Sequence, residues 1–199
     1  MTLAVLDLGV GNTASMVFAL ERLGASPVLT ADRAVLAEAD RIVFPGVGSA
    51  GYAAGRLQAL GVVETLKAFP RPLLGVCLGM QMLFDRSAEG DVAGLGLIAG
   101  EVRALWPAPD RPVPHMGWNS LTLERPDDPL VEGLGKDPYV YFVHGYAAAA
   151  GESTVASTDY GGQFAAIVRE RNVCGTQFHP ERSGAVGARI LRNFLELPC

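Results

Sequence analysis

A cysteine between two glycines is the feature of this sequence best suited to chemistry. Residues 73–81 read Leu-Leu-Gly-Val-Cys-Leu-Gly-Met-Gln, so that an apolar run leads into a Gly-x-Cys-x-Gly pattern. Small residues on both sides of a nucleophile permit the sharp turn between a strand and a helix that exposes it, and the positive end of that helix favours the thiolate. We therefore predict that Cys77 is a nucleophile; a buried structural cysteine is the alternative.

A thiolate nucleophile needs a histidine that is itself oriented by a third group. The sequence contains three histidines, His115, His144 and His179. His179 closes an apolar run and is followed two positions later by Glu181, whose carboxylate could accept a hydrogen bond from the imidazole. The other two have no carboxylate within three residues, although such partners meet in space rather than in sequence. The pattern favours His179 and Glu181 as the partners of Cys77, with His115 and His144 as competitors.

A third candidate is the glycine-rich segment at residues 44–50, which reads Phe-Pro-Gly-Val-Gly-Ser-Ala. Glycines allow the backbone to aim N–H groups at a ligand oxygen, so this loop could complete an oxyanion hole with Cys77. A simple turn is the alternative. The other glycine-rich loop, at residues 8–12, lacks the full G-x-G-x-x-G pattern and a suitably placed acidic residue, which argues against a dinucleotide site.

The elements that must position these residues alternate between strand and helix in the first half of the chain. Short apolar runs predict strands over residues 3–6, 28–30, 42–44 and 73–76. Helices are predicted over residues 13–23, from Asp32 onward, over 52–68 with a break near Gly61, and over 78–84. Strands that are apolar throughout and alternate with helices indicate a parallel sheet that is covered on both faces.

The second half of the chain has a different pattern. Strand-like segments separated by Gly, Pro and Asp clusters occur at residues 97–106, 120–124, 140–143, 154–157, 164–169 and 173–177, and only residues 185–195 are clearly helical. We expect antiparallel strands that extend the sheet, closed by one helix. In the absence of a repeat, a linker or a charge block, residues 1–199 are expected to form one domain: an α/β fold with a mixed, mostly parallel central sheet flanked by helices.

Composition excludes several classes of partner. Of the 199 residues 49% are hydrophobic and 19% charged, the net charge is −5, and no run of Lys or Arg occurs, so neither nucleic acid nor an anionic membrane is an expected partner. No apolar stretch reaches the roughly 18 residues of a membrane span, and the start MTLAVLDLGVGN is unlike a signal peptide because it carries Asp7 and no basic region. Three cysteines without metal-ligand spacing predict reduced thiols, a cytoplasmic location and no bound metal or cofactor.

Six blocks of the sequence together resemble those of class I glutamine amidotransferases, and most closely those of the glutaminase subunit of imidazole glycerol phosphate synthase in histidine biosynthesis. They span nearly the whole chain in the expected order, at residues 7–12, 45–49, 75–81, 114–119, 141–144 and 175–181. The blocks at 75–81 and 175–181 are shared across the class, whereas those at 7–12 and 114–119 resemble this subunit in particular. The sequence departs from the family at Leu8 and Gly145, where Tyr and Ser are frequent.

The resemblance implies hydrolysis of glutamine to glutamate and ammonia. Cys77 would attack the carboxamide. His179 would first assist deprotonation of Cys77 and then protonate the leaving ammonia, and Glu181 would orient His179. Water would then hydrolyse the resulting glutamyl thioester.

The resemblance also assigns roles to groups around the nucleophile. It implies that the backbone N–H groups of Val47 and Leu78 hold the oxyanion, and that Gly48 and Gln81 contact the glutamine substrate.

A partner is implied as well. In this family ammonia passes to a separate cyclase subunit, a (β/α)₈ barrel that forms a heterodimer with the glutaminase and makes imidazole glycerol phosphate and an aminoimidazole carboxamide ribotide. By resemblance, four residues would lie toward the cyclase: Asn12, Trp118, Asn119 and Arg182. An ordinary aromatic residue for Trp118 and a helix cap for Asn12 are the alternatives. The family also implies slow hydrolysis until the cyclase is occupied, with the loop at residues 45–49 as a candidate switch.

Three other functions share parts of this pattern. Glutaminase subunits for anthranilate, aminodeoxychorismate or pyridoxal phosphate synthesis share the triad but lack the block at residues 114–119. A cysteine hydrolase or stress protein of similar α/β build would not be expected to carry His-Pro-Glu near its C-terminus. An inactive amidotransferase-like binding subunit is disfavoured by the intact Cys77, His179 and Glu181.

Overall fold

An eight-stranded mixed sheet runs through the centre of the computed structural model, which describes residues 2–9 and 13–198. The strands of these residues are, in chain order, β1 (Leu3–Leu6), β2 (Pro27–Thr30), β3 (Arg41–Gly46), β4 (Leu73–Cys77), β5 (Phe84–Ser87), β6 (Val92–Ala93), β7 (Ile98–Ala104), β8 (His115–Ser120), β9 (Thr122–Leu123), β10 (Tyr139–His144), β11 (Tyr146–Ala148), β12 (Thr154–Asp159), β13 (Gln163–Glu170) and β14 (Val173–Thr176). The helices are α1 (Thr13–Arg22), α2 (Arg33–Glu38), α3 (Ala50–Leu60), α4 (Val63–Lys67), α5 (Leu78–Gln81) and α6 (Gly184–Glu196), with 3₁₀ helices at Pro129–Val131 and Pro180–Arg182.

The strands of the main sheet follow the order β2-β1-β3-β4-β14-β13-β12-β9. Strands β2, β1, β3, β4 and β14 are parallel to one another, and β13, β12 and β9 continue the sheet in antiparallel pairings. This arrangement confirms the predicted α/β fold with a mostly parallel sheet and antiparallel strands in the C-terminal half.

The strand predicted at residues 173–177 has a different position and direction from those expected. β14 lies parallel to β4 near the middle of the sheet, with Gly175 opposite Gly75 and Thr176 opposite Val76. All four residues of β14 are buried, as is typical of a strand covered on both faces. Because parallel strands end at the same edge of a sheet, the chain that leaves β14 emerges beside Cys77 at the end of β4.

Two more of the predicted strands do not extend the main sheet. β7 belongs to a smaller sheet with the order β11-β7-β5-β6, and β10 pairs with β8 in an antiparallel ribbon. The strand predicted at residues 120–124 is divided between β8 and β9, with Leu121 between them. The expectation that every strand of the second half extends one sheet is therefore wrong.

The helix predicted over residues 78–84 is shorter than expected, because α5 ends at Gln81 and β5 begins at Phe84. The carbonyl of Met82 accepts a hydrogen bond from the N–H of Leu95. The carbonyl of Leu83 is likewise bonded to N–H groups of residues 97 and 98. Pairing with a distant segment takes the place of another helical turn.

Two hydrophobic cores cover the two faces of the main sheet. Leu3 and Val5 of β1 contribute to one core, and the alternating residues Ala4 and Leu6 contribute to the other. Side chains of α1 and α6 pack on the first core, and side chains of α2 and α3 pack on the second. The central strands are therefore buried on both sides, and their carboxyl ends are held rigidly at one edge.

Local signals account for most of the helix boundaries in the first half. The side chain of Asp32 accepts a hydrogen bond from the N–H of Ala34 at 2.8 Å and caps α2. Gly61 has the left-handed conformation, with φ of 65°, and ends α3 before α4 begins, which confirms the break predicted there. In the described part of the chain, no helix has the length and apolar character needed to cross a membrane.

Candidate active site

The candidate nucleophile occupies a sharp turn between β4 and α5. Cys77 is the last residue of β4 and is immediately followed by Leu78, the first residue of α5. Its backbone has φ of 54° and ψ of −110°, a conformation that residues with a side chain rarely adopt. Such strain costs about 1–3 kcal/mol and is concentrated at functional sites. The turn therefore has the form predicted for a nucleophile at the end of a strand.

The glycines around Cys77 are required by close backbone packing. A Cβ on Gly75 would lie 2.7 Å from the backbone carbon and oxygen of Gly79, and a Cβ on Gly79 would lie 1.8 Å from the carbonyl oxygen of Phe44. A Cβ on Gly46 would lie 2.8 Å from the Gly79 nitrogen. The start of α5 consequently rests directly on β3 and β4, which sets the orientation of Cys77.

His179 is the histidine that the structure brings to Cys77. Its Nδ1 lies 2.9 Å from Oε1 of Glu181, which leaves Nε2 to face the thiol. Burial opposes a positive charge on the ring, but hydrogen bonds to Cys77 and Glu181 raise the pKa of His179 to about 10. The backbone N–H of His179 also donates to the carbonyl of Tyr141 at 3.0 Å, and Ser183 Oγ donates to the His179 carbonyl at 2.7 Å. Both the ring and the backbone of His179 are therefore fixed by hydrogen bonds, and its raised pKa favours a protonated ring at neutral pH.

The two competing histidines, His115 and His144, form a hydrogen bond with each other. His115 Nδ1 and His144 Nε2 are 3.0 Å apart, and the other ring nitrogen of His144 lies 2.8 Å from the carbonyl oxygen of Tyr146. Burial lowers the pKa of both histidines to about 4. Both rings are therefore neutral at pH 7, and the nitrogens of His144 are occupied, which favours His179 as the base.

A cavity of about 290 Å³ opens beside Cys77. The predicted glutamine contacts Gly48 and Gln81 both line it, together with His144 and His179. Gln81 is 5% exposed. The structure therefore gathers the predicted substrate contacts and the predicted nucleophile around one space.

Val47 and Leu78, which carry the predicted oxyanion groups, both line the same cavity. Val47 is part of its lining and is 39% exposed, so this loop forms the outer wall. Leu78 also lines the cavity and is the first residue of α5, where backbone N–H groups have no partner within the helix. The loop residue Gly48 has φ of 100°, a conformation that glycine adopts without strain.

Two of the predicted interface residues share a surface with Tyr141. The Trp118 ring meets the Tyr141 ring edge-on at 5.9 Å between centroids, and the Arg182 guanidinium lies 4.8 Å from the centre of the Tyr141 ring. Asn119 instead lies on the other face of the ribbon, where its Nδ2 donates to the carbonyl of Asp159 at 3.0 Å. The fourth predicted interface residue, Asn12, lies outside the described residues.

One buried side chain near the nucleophile was not anticipated from the sequence. Gln177 is fully buried, and its Nε2 lies 3.9 Å from Cys77 Sγ while its Oε1 accepts a hydrogen bond from Gln81 Nε2 at 3.1 Å. The local signal was a polar residue in an otherwise apolar strand end, two positions before His179. Among residues 2–9 and 13–198, no group of three or more His, Cys, Asp or Glu side chains is placed to hold a metal ion.

Known proteins resemble this chain over nearly its whole length. A family model described as glutamine amidotransferase class-I matches residues 4–197. The chain is 52% identical over 194 residues to "Imidazole glycerol phosphate synthase subunit HisH" of Xanthomonas axonopodis pv. citri, covering 98% of this chain and 96% of that protein. It is 50% identical to the protein of the same name in Xylella fastidiosa, again over 98% of this chain and 96% of the relative.

Solved structures show the same fold at lower sequence identity. A crystal structure of a glutamine amidotransferase has a TM-score of 0.76 and 23% identity, and covers 98% of both chains. The structure of PurLQS from Thermotoga maritima has a TM-score of 0.74 and 21% identity, covering 98% of this chain and 97% of that one. With the family model matching almost the whole sequence, this chain belongs to the class-I glutamine amidotransferase family.

Proposed function

We propose that this chain is the glutaminase subunit of an imidazole glycerol phosphate synthase, which hydrolyses glutamine and supplies ammonia to a cyclase subunit in histidine biosynthesis. The observation that carries the chemistry is that Cys77 and His179 line one cavity of about 290 Å³, with Nδ1 of His179 held 2.9 Å from Oε1 of Glu181. The names of the relatives at about 50% identity support this acceptor pathway over the other glutaminase pathways. The lyase activity belongs to the assembled synthase.

The reaction begins with the thiolate of Cys77. Its Sγ adds to the carboxamide carbon of glutamine, and the carbonyl oxygen becomes an oxyanion that the backbone N–H groups of Val47 and Leu78 stabilise. The imidazolium of His179 gives its proton from Nε2 to the leaving nitrogen, so that the C–N bond breaks and ammonia departs. Cys77 then carries the glutamyl group as a thioester.

The second half of the reaction returns the enzyme to its starting state. His179, now neutral, accepts a proton from a water molecule that attacks the thioester carbon. The C–S bond breaks, glutamate leaves, and the sulfur of Cys77 and the proton on His179 are again available for the next turnover. Glu181 holds Nδ1 of His179 throughout, so that Nε2 always faces the reacting atoms.

A second cavity, of about 190 Å³, supports an exit for ammonia on the far side of His179. It shares Val47, Val143 and His179 with the glutamine cavity and is also lined by Glu181 and Arg182. Oε2 of Glu181 is buried and has no hydrogen-bond partner among the described residues. We assign this cavity to the side from which ammonia leaves.

The partner would dock on the outer face of the β8–β10 ribbon. An outer patch of Met116, Trp118, Tyr139 and Tyr141 lies there, and the first three of these side chains are more than half exposed. Exposed aromatic residues grouped in this way are typical of protein interfaces. We propose a cyclase of the (β/α)₈ type bound here as a heterodimer, with Arg182 at the edge of the contact. Residues 1–199 would act as one amidotransferase domain in the cytoplasm.

The proposal is tested by a coupled assay. The purified chain is mixed with a cyclase subunit and its ribotide ligand, and release of glutamate and formation of imidazole glycerol phosphate are both followed. We expect slow hydrolysis by the chain alone and a strong increase with the occupied cyclase. Glutamate release that is the same with and without the cyclase would leave a glutaminase but contradict this partner.

A further inference from the structure

Neutral histidines link the glutamine cavity to the β8–β10 ribbon in a fixed order of donors and acceptors. The carbonyl of Tyr146 can only accept, so Nδ1 of His144, 2.8 Å away, must carry the proton. His144 Nε2 is then an acceptor, which makes the facing Nδ1 of His115 a donor at 3.0 Å. His115 Nε2 in turn accepts from Nδ2 of Asn119 at 3.5 Å. The lowered pKa values of both rings are consistent with this neutral arrangement.

The Tyr146 carbonyl is shared with the side chains that surround the nucleophile. It also accepts a hydrogen bond from Gln81 Nε2 at 2.8 Å, and the same nitrogen donates to Gln177 Oε1 at 3.1 Å. Nε2 of Gln177 points to Cys77 Sγ at 3.9 Å. The orientation of the Gln81 carboxamide is therefore determined by two acceptors, of which one is positioned by His144.

The histidine and glutamine side chains of this network are buried. His115 and His144 are 3% and 5% exposed, respectively. The His115 ring is also stacked between Phe142 and Tyr160, at centroid distances of 4.7 and 3.9 Å. Buried polar groups stabilise a fold no more than apolar groups of the same shape, so the hydrogen bonds among these buried side chains indicate a requirement for fixed geometry.

The network lies on the inner face of the ribbon that carries the outer patch. His115 and Asn119 belong to β8 and His144 to β10, while Met116 and Trp118 of β8 are exposed on the opposite face. Register pairs His144 with His115 at the end of the ribbon nearest the cavity. A shift of the ribbon would therefore move His144 and, through its hydrogen bond, the Tyr146 carbonyl.

We propose that His144, supported by His115, is a positioning residue for glutamine: its Nδ1–H holds the Tyr146 carbonyl, which in turn orients the Gln81 carboxamide in the substrate cavity. This inference rests on the proposed glutaminase function. The two ring nitrogens of His144 have different partners. Nδ1 donates to the Tyr146 carbonyl beside the substrate cavity, and Nε2 accepts a hydrogen bond from His115 of β8.

Two substitutions at the same position separate these two interactions. In His144→Asn the amide nitrogen can occupy the place of Nδ1 and donate to Tyr146, but the bond to His115 is lost. In His144→Gln the longer side chain reaches His115, but the donor to Tyr146 is lost. We expect KM for glutamine to rise about fivefold in His144→Gln, the effect of one lost hydrogen bond of ordinary strength, and to stay within about twofold of the parent in His144→Asn. Gln58→Ala, on the exposed face of α3 and outside both cavities and the ribbon, is the control and should leave KM unchanged.

The result is read against stability and against a probe that does not depend on activity. A merely structural role would lower the melting temperature of both variants and leave their KM values alike, which would overturn the proposal. Nitrogen-15 spectra of the histidine rings at pH 7 should show Nδ1 protonated and Nε2 bare in both His115 and His144; the opposite tautomer in either would also overturn it. A parent chain that shows these tautomers but releases no glutamate would instead contradict the proposed function.

Discussion

Replacement of Gly79 by alanine tests the close packing that holds the nucleophile. The added Cβ would lie 1.8 Å from the carbonyl oxygen of Phe44 and 2.9 Å from its carbonyl carbon. Because both partners are backbone, α5 and β3 must separate by roughly 1.5 Å, an overpacking that we expect to lower the free energy of unfolding by about 3 kcal/mol. For a chain of this length, that corresponds to a fall in melting temperature of roughly 6–12 °C.

The same displacement should reduce activity in molecules that remain folded. Phe44 leads directly into the loop that carries Val47 and Gly48, and α5 carries Leu78, so the predicted oxyanion groups move relative to Cys77. A misplacement of about 1 Å costs on the order of 100-fold in rate. We therefore expect kcat for glutamine hydrolysis, measured at a temperature well below the melting temperature of the variant, to fall by about that factor.

Gly55→Ala is the matched control, because Gly55 is exposed within α3 and a Cβ there meets nothing within 4 Å. Helix propensity predicts that this variant gains about 0.5–1 kcal/mol with unchanged activity. Urea unfolding and glutamate release would be measured on the parent and both variants. A Gly79→Ala protein with the parental unfolding midpoint and parental kcat would refute the account of why Gly79 is needed.

Three further outcomes follow from residues outside the catalytic triad. Cys174 is fully buried, and burial raises the pKa of its thiol to about 12. Cys174→Ala should therefore hydrolyse glutamine at the parental rate, and iodoacetamide should leave Cys174 unlabelled in the folded parent. A loss of rate in a folded Cys174→Ala protein would contradict a purely structural role for this cysteine. The folded-state pKa values of His115 and His144, about 4, lie below the ordinary value, so between pH 6.5 and 4 the unfolded chain binds more protons than the folded chain. The urea midpoint should therefore decrease as the pH is lowered through that window, and a midpoint that does not change would contradict the burial of the two rings. Gly145→Ser should fold as stably as the parent within about 0.5 kcal/mol, because its Cβ would meet Val113 at an ordinary 3.6 Å; a large drop in melting temperature would show unrecognised strain.

Local patterns predicted the elements that carry the nucleophile. The apolar runs of β1, β3 and β4 and the glycines around Cys77 act over a few residues, and each appears at the expected place. The break at Gly61 was predictable for the same reason, since a left-handed helix end depends on one residue. The prediction that His179 is oriented by Glu181 agrees with their contact of 2.9 Å.

Contacts between distant segments were not predictable in the same way. An apolar strand such as β14 does not specify its neighbour or its direction, and the parallel pairing with β4 depends on the whole sheet. The bond between His115 and His144 joins residues 29 apart, and the bond from Gln81 to the Tyr146 carbonyl joins residues 65 apart. Because neither leaves a periodic signal, only the folded structure shows that these side chains form one network.

The most direct test of the central claim is whether glutamine is hydrolysed through a covalent bond to Cys77. Glutamate release by the parent, Cys77→Ala and Cys77→Ser chains would be measured with the cyclase present, and the parent would be acid-quenched during turnover of isotope-labelled glutamine for peptide mass spectrometry. The account predicts a loss of about 10³-fold or more in both variants with the fold intact, and a labelled glutamyl group on the peptide that contains Cys77. Parental rates in Cys77→Ala, or a glutamyl label on another residue, would contradict it.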